Sequence, residues 1–295
     1  MISVVIPSYN SRHTIYLCIT SLLQQTCSVP YEIIVVDSSI DGTDLYIQKA
    51  FPNVNLIHLD YHAFAAEARN IGIQKSKNSL IAFLDSDCIA SKKWLNQIVV
   101  TFKDNNNLMA CGGSIIPYND RSLVSLSEYF LSFAEFSPLS PARRIRTMPH
   151  CNVVYRKSVF KQCGKIDNLP AGEDTYFNNK LGSHNIILWF NPLQKVQHIH
   201  REGFIDFVKH QYFLGKGFAE NRHKVNLPGS KAARLKLYPI LSVYKCLLMV
   251  LRMAKWHKQY LHKLPLLFPI ITAGLGALTA GNYVFHVKKS GPGCR

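Results

Sequence analysis

Acidic side chains are in short supply: 18 Asp and Glu stand against 34 Lys and Arg, and the formal net charge of the 295-residue chain is +16. Such an excess is the usual footprint of a nucleic-acid partner. No nucleic-acid-binding motif accompanies it, so nucleic acid is not expected as a partner. Paired cysteines are also missing. The eight cysteines, at 18, 27, 88, 111, 151, 163, 246 and 294, are scattered, contain no C-x-x-C, and in several cases sit inside apolar runs. That pattern excludes a disulfide framework and a zinc cluster and suits a reducing compartment. Cys88 has no histidine at motif spacing and is a poor nucleophile. Internal repeats and low-complexity segments are absent, which leaves a chain long enough to bury one large core. The apolar run Ile2–Ile6 is too short for a leader core and no basic segment precedes it, so no secretory leader is expected. Glycine is absent from Pro7–Ser11, where a phosphate-cradling loop would need it, and this counts against a sugar nucleotidyltransferase.

What the chain does have is a pair of carboxylates, Asp85-Ser86-Asp87, directly after the apolar run Leu80–Leu84. A buried strand ending this way delivers both carboxylates to the carboxyl edge of a sheet, where open α/β proteins place their ligands. Two anions held so close call for a cation. Hard oxygen ligands suit Mg²⁺ or Mn²⁺, ions that bridge protein carboxylates to substrate phosphates. The plain alternative is an Asp pair capping a turn. Upstream, strands are expected at residues 2–6, 31–36, 55–59 and 79–84, and helices between them. Ile15, Cys18, Ile19, Leu22 and Leu23 share one helical face, and a helix over 63–75 contains Arg69-Asn70. Four alternations in about ninety residues predict an α/β fold with a doubly wound, mainly parallel sheet.

Four of these segments together resemble the ordered signature of family 2 glycosyltransferases, inverting enzymes of the GT-A fold. They are Val5-Ile6-Pro7-Ser8-Tyr9-Asn10; Ile34-Val35-Val36-Asp37 with Ser39, Asp41, Gly42 and Thr43; Ala68-Arg69-Asn70-Ile71-Gly72; and Phe83-Leu84-Asp85-Ser86-Asp87. The resemblance covers about residues 1–220. It implies a nucleoside diphosphate sugar donor bound by Pro7, Tyr9, Asn10, Asp37, Arg69 and Asp85, with Asp37 on the nucleotide base. It also implies a divalent metal, Mn²⁺ or Mg²⁺, on Asp85 and Asp87. Asp41 comes one residue sooner than in the usual family pattern, and a helix amino-terminal cap is the favoured reading for it.

Glu173-Asp174 opens another expected helix, and the resemblance makes Asp174 the general base. An acceptor hydroxyl attacking the anomeric carbon must lose its proton as the bond forms, which is work for a carboxylate. The alternative is that both acids merely favour the positive end of the helix dipole. The segment His150–Arg156 resembles a family loop whose Asn152 touches the donor sugar, although a turn-forming Asn fits equally. Along Val196–Arg201 the alternation predicts His198 and His200 on one strand face. By resemblance His198 closes the site over the metal or diphosphate, and Arg201 is either a diphosphate clamp or a solvated charge.

The expected organisation is a catalytic domain over 1–228, a basic amphipathic helical segment over 229–263, a hydrophobic segment over 264–287 and a basic tail over 288–295. Lys231, Arg234, Lys236, Lys245, Arg252, Lys255 and Lys258 accompany an apolar band from Ile240 to Leu251, which suits an anionic membrane surface. Residues 264–285 carry no charge and are long enough to span a bilayer. Pro265, Pro269 and glycines 274, 276 and 281 leave open a re-entrant pair of half-helices or a soluble core helix. The reading that results is a membrane-associated glycosyltransferase with its catalytic domain on the cytoplasmic side, acting on a glycan or lipid-linked acceptor. A sugar nucleotidyltransferase and a non-catalytic membrane-bound scaffold are the alternatives.

Overall fold

The computed structural model describes residues 1–227 and 229–289. The expected basic tail therefore lies outside the described residues from 290 onward. In chain order the elements are β1 (Ile2–Ser8), α1 (Ile15–Leu23), β2 (Tyr31–Asp37), α2 (Thr43–Ala50), β3 (Asn55–His58), α3 (Ala65–Lys75), β4 (Leu80–Leu84), β5 (Cys88–Ala90), α4 (Trp94–Asp104), β6 (Ala110–Pro117), α5 (Leu123–Phe133), β7 (Arg143–Ile145), β8 (Asn152–Arg156), α6 (Ser158–Cys163), α7 (Glu173–Ser183), β9 (Leu188–His198), α8 (Phe204–Lys224), α9 (Ser230–Arg234), α10 (Tyr238–Trp256) and α11 (Leu264–Lys289). A 3₁₀ turn, Lys258–Lys263, joins α10 to α11.

Two compact units result. The first comprises residues 1–116, 141–169 and 173–199, and the second comprises 117–140, 170–172 and 200–295. Residues 117–140, counted with the catalytic segment in the sequence reading, lie with the carboxyl-terminal helices.

In the first unit the strand order is β3-β2-β1-β4-β8-β6-β9-β5, with β7 on β9. Pairing is parallel from β3 to β4. It is antiparallel at β4–β8, β6–β8, β5–β9 and β7–β9. The sheet is thus mixed, and the mainly parallel expectation holds only for its first four strands. β1 and β4 are buried along their whole lengths, as strands covered on both faces must be. Gly72 lets α3 lie directly on β1, since a β-carbon there would run into Val5. Because β1, β2 and β4 are parallel, their carboxyl ends bring Ser8, Asp37 and Asp85 to one sheet edge, and Ser8 is in register with Asp37.

The second unit is helical. Its core is built from Leu126, Tyr129 and Phe130 of α5, Phe207 of α8, Met249 and Met253 of α10, and Leu267, Ile271 and Leu275 of α11. The re-entrant arrangement is not what forms: α11 is one continuous helix with Pro269 inside it. Pro265 lies in the first turn, where donors have no intrahelical partner and a proline forfeits little, whereas Pro269 costs the helix one internal hydrogen bond without breaking it. The basic segment is also not one helix. It breaks at Lys236, whose φ is 58°, and again at His257.

Candidate active site

The loop after β1 starts the site. Pro7, Ser8 and Tyr9 line a cavity of about 190 Å³ with Ala63, Ala65, Ala68, Arg69, Asp85, Ser86 and Asp87. Tyr9 is exposed and meets the edge of His62, ring centroids 4.3 Å apart. Asn10 takes a left-handed φ of 50°, which Asn tolerates better than most residues. Its Oδ1 accepts the Ile40 N–H at 3.0 Å and its own N–H donates to Ser39 Oγ at 2.7 Å, so Asn10 clasps the loops after β1 and β2 together.

Asp37 is fully buried. Its Oδ1 accepts from Ser8 Oγ and Ser39 Oγ, both at 2.6 Å, and its Oδ2 accepts the Ser39 N–H at 3.1 Å and faces His58 Nδ1 at 3.0 Å. The carboxylate therefore holds its neighbours in place, while His58, with a side chain 35% exposed, stands over it. Asp41 accepts the Thr43 N–H at 3.1 Å and the Thr43 hydroxyl at 2.5 Å, an Asx turn leading into α2; the helix cap itself is Gly42, so the N-cap lies one residue later than the expected Asp41.

Arg69 is the hub. It is buried on α3, and its guanidinium reaches Asp85 Oδ1 at 2.5 Å through one nitrogen and Glu173 Oε1 at 2.8 Å through the other. Burial works against its charge, and the two carboxylates overcome that and raise its pKa further. Residues 16 and 104 positions apart from Arg69 are thereby tied together. Glu173 is committed to Arg69, and its neighbour Asp174 is left for other work. Asp174 Oδ1 accepts the Thr175 N–H at 2.5 Å. Burial first, then the Glu173 charge, push its carboxyl up to about 7, against the pull of the Thr175 N–H and Arg69.

Asp87 lies 3.6 Å from His198 Nε2, too far for a good hydrogen bond. The ligating atoms of Asp87, Cys88 and His198 all lie within 4.8 Å of one another. Two ligands of one octahedral ion at about 2.1 Å sit about 3 Å apart when adjacent and about 4 Å apart when opposite, so the Asp87–His198 pair, lying between the two, would need only a small side-chain shift to share a cation. Cys88 is buried and its thiol pKa is raised well above the ordinary value, chiefly by that burial, and a soft sulfur ligand suits Mg²⁺ or Mn²⁺ poorly. Ser86 points elsewhere, to Ser11 Oγ at 2.7 Å.

Two expectations are corrected. Asn152 has no exposed surface. Its Oδ1 accepts from Trp94 Nε1 at 2.9 Å and Gln194 Nε2 at 3.0 Å, and its Nδ2 donates to the Ser114 and Gln194 carbonyls, both at 2.9 Å. An amide so engaged cannot touch a sugar. The alternation through 201 also stops early: β9 ends at His198, and His200 and Arg201 belong to the helical unit. There Arg201 Nη1 donates to the buried Glu128 at 2.9 Å, which His210 also approaches at 2.7 Å.

The sequence profile of Glycosyl transferase family 2 matches residues 3–164. The chain belongs to that family. It is a glycosyltransferase with a GT-A-like mixed α/β fold. It is 28% identical over 222 residues to "Glycosyltransferase AglE" of Haloferax volcanii, covering 73% of this chain and 72% of that protein. It is 34% identical over 126 residues to the Escherichia coli "UDP-Glc:alpha-D-GlcNAc-diphosphoundecaprenol beta-1,3-glucosyltransferase WfgD", covering 42% of this chain and 49% of the relative, so it spans only about half of that protein. Among solved structures, GalNAc-T7 with UDP, GalNAc and Mn²⁺ superposes with a TM-score of 0.53 at 20% identity, covering 68% of this chain and 43% of that one. Such a likeness concerns the fold.

The sequence reading missed Glu173 as the partner of Arg69, His58 over Asp37, and the cavity wall of Ala63, Ala65 and Ala68. A signal existed for the wall alone, in the four alanines among residues 63–68. The Glu173 and His58 contacts join positions far apart in the chain and have no local signature.

Proposed function

We propose that this family 2 enzyme is inverting: it moves a sugar from a nucleoside diphosphate donor to a hydroxyl of a glycan or lipid-linked acceptor by single displacement. The observation that carries the proposal is the Arg69 fork, which holds Asp85 and Glu173 together and sets Asp174 beside them with a raised pKa. In this reading Pro7 and Tyr9 face the donor in the cavity, and Asp85, Asp87 and His198 hold a divalent metal, Mn²⁺ or Mg²⁺. When bound, such an ion supplies positive charge against the leaving diphosphate. Asp174 takes the proton of the attacking hydroxyl, and a carboxyl near 7 is well matched to that task at neutral pH. Arg69 adds a fixed positive charge that needs no reorganisation during the reaction. A lipid-linked acceptor gains support from the printed substrate of WfgD, and membrane attachment gains support from the apolar carboxyl-terminal stretch within Lys258–Val284; the cytoplasmic side, where the catalytic domain would meet nucleotide sugars, is part of the same proposal.

The test is a panel of nucleotide sugars assayed with Mn²⁺, with Mg²⁺ and with chelator, alongside the Asp174→Asn protein. Donor affinity should stay within a few fold while transfer falls by about 10² to 10⁴, the usual worth of a general base. Equal losses of donor binding and turnover would refute the assignment, and retention of the donor's anomeric configuration in the product would refute single displacement.

A further inference from the structure

The carboxyl-terminal helices carry a charge pattern and an apolar stripe that the chemistry above does not use. All 18 acidic residues lie at or before Glu220, whereas 13 of the 34 Lys and Arg lie beyond it. The crowding is close enough that Lys245, through burial and then the charges of Arg222 and Arg252, is pulled down to about 8. On α10, Ile240, Val243, Tyr244, Leu247 and Leu251 recur at helical spacing and are between 55% and 70% exposed. Lys236 precedes that stripe and Lys255 and Lys258 follow it, all exposed, so long cationic stems flank the apolar row at both ends. Beside it, α10 and α11 enclose an apolar groove of about 580 Å³ whose walls include Val243, Leu247 and Phe268 and contain no charged residue. Exposed apolar area of this extent marks a binding surface.

α11 itself is otherwise engaged. Leu267, Ile271, Leu275 and Leu278 face inward. Its glycines bring it against α8 backbone to backbone: a β-carbon on Gly281 would collide with the Tyr212 carbonyl, and one on Gly215 with the Leu278 carbonyl. α8 carries Lys209, Lys216 and Glu220. A bilayer-spanning α11 would carry those charges to hydrocarbon depth, where such side chains are strongly disfavoured.

We propose that the helical unit docks in the plane of an anionic bilayer through the outward stripe of α10, with an acyl chain in the α10–α11 groove, and that α11 does not span. An apolar face gives insertion and the uncompensated basic charge gives attraction to acidic headgroups, the two signals a stable surface attachment requires. The inference deepens the membrane attachment proposed above and is independent of the chemistry: a chain that docks this way yet transfers no sugar would leave it standing and remove the catalytic reading.

Flotation of the full chain with phosphatidylcholine vesicles, and with equal parts of phosphatidylcholine and phosphatidylglycerol, is the first test. Binding should rise tenfold or more with the anionic lipid and weaken as salt rises. Val243→Glu with Leu247→Glu should abolish it without changing the melting curve, because both side chains are exposed. Nitroxide labels at Leu247→Cys and Gly276→Cys, with Cys27, Cys246 and Cys294 replaced by Ser, then read depth by oxygen and nickel accessibility. The label at 247 should lie just beneath the phosphates and the label at 276 should never reach the bilayer centre. Binding that survives the double substitution, a label at 276 in the bilayer centre, or failure to float with anionic vesicles would each overturn the proposal. So would a lipid-independent dimer that the double substitution splits, because a second copy would then cover the stripe.

Discussion

The pH profile of transfer offers the sharpest access to Asp174. In the free enzyme its carboxyl is raised from 3.8 to about 7 by burial and by Glu173, and kcat/KM reports the ionisation of the free enzyme. A base works only when deprotonated, so kcat/KM should climb with pH through about 7 and level off above 8. At pH 6 about one molecule in ten carries the working form, which sets the rate about tenfold below the plateau. Glu173→Gln keeps an oxygen for Arg69 but removes the charge that raises Asp174, so the rising limb should move to lower pH. The same shift acts on stability with the opposite benefit. The native state holds a proton that the unfolded chain has released, so this group favours folding least above pH 7 and more as pH falls toward 4. The assay is kcat/KM for the donor between pH 5 and 9 at saturating metal and acceptor. A limb near 4 in the wild type, or one near 7 that neither moves in Glu173→Gln nor disappears in Asp174→Asn, would refute the reasoning.

Three further outcomes can be measured directly. Asp87→Asn should lower metal-dependent transfer by about 10² or more while the melting temperature holds, because its carboxylate stands at a solvent-facing strand end; near-native turnover at saturating Mn²⁺ would remove the metal assignment. Glu128 is buried and held at about 2, from 4.5, because hydrogen bonding from His210 and the Arg201 charge outweigh its burial, so Glu128→Gln should cost about 3 kcal/mol at pH 7. That contribution is present above about 4.5 and lost as pH falls toward 2, and urea titrations at pH 7 and pH 3 should show the gap closing. Asn152→Ala should cost on the order of 3 kcal/mol in urea unfolding, since Trp94, Gln194 and Ser114 lose partners in a buried place; donor affinity of the folded protein should stay within twofold.

The amino-terminal half of the fold was legible because each parallel strand is a short apolar run followed by a turn and an amphipathic helix. Expected strand starts at 2, 31 and 55 coincide with β1, β2 and β3. The antiparallel half was not legible. β8 and β9 reach the sheet from residues 152–156 and 188–198, and nothing local states which way a strand will run. Polar residues gave the mixed result expected of groups whose role depends on what they face. Asp85, Asp87 and Arg69 come together at one edge, as the motif order implied. Asn152 and His200 have the residue types of a site but are turned into protein. Only the neighbours Trp94, Gln194 and Glu128 reveal this, and all of them are distant in sequence.

The apolar stretch 264–285 shows the limit most clearly. Hydropathy measures how poorly a segment suits water, and it does not distinguish lipid from a well-packed protein neighbour. Within Lys258–Val284 an 18-residue window reaches a mean hydropathy of 1.7, and the segment meets the length test for a membrane helix. Its glycines carry the missing information, because Gly274, Gly276 and Gly281 meet different surroundings. Gly274 lies against Phe207 and Leu131, and Gly281 lies against the Tyr212 carbonyl, whereas a β-carbon on Gly276 would meet nothing. Close approach on one side and open space on the other is the mark of a helix with one protein-facing side. The partner on that side, α8, is charged along its length. The composition of the contacting helix, more than that of the apolar helix itself, is therefore the ground on which the proposed non-spanning placement of α11 rests.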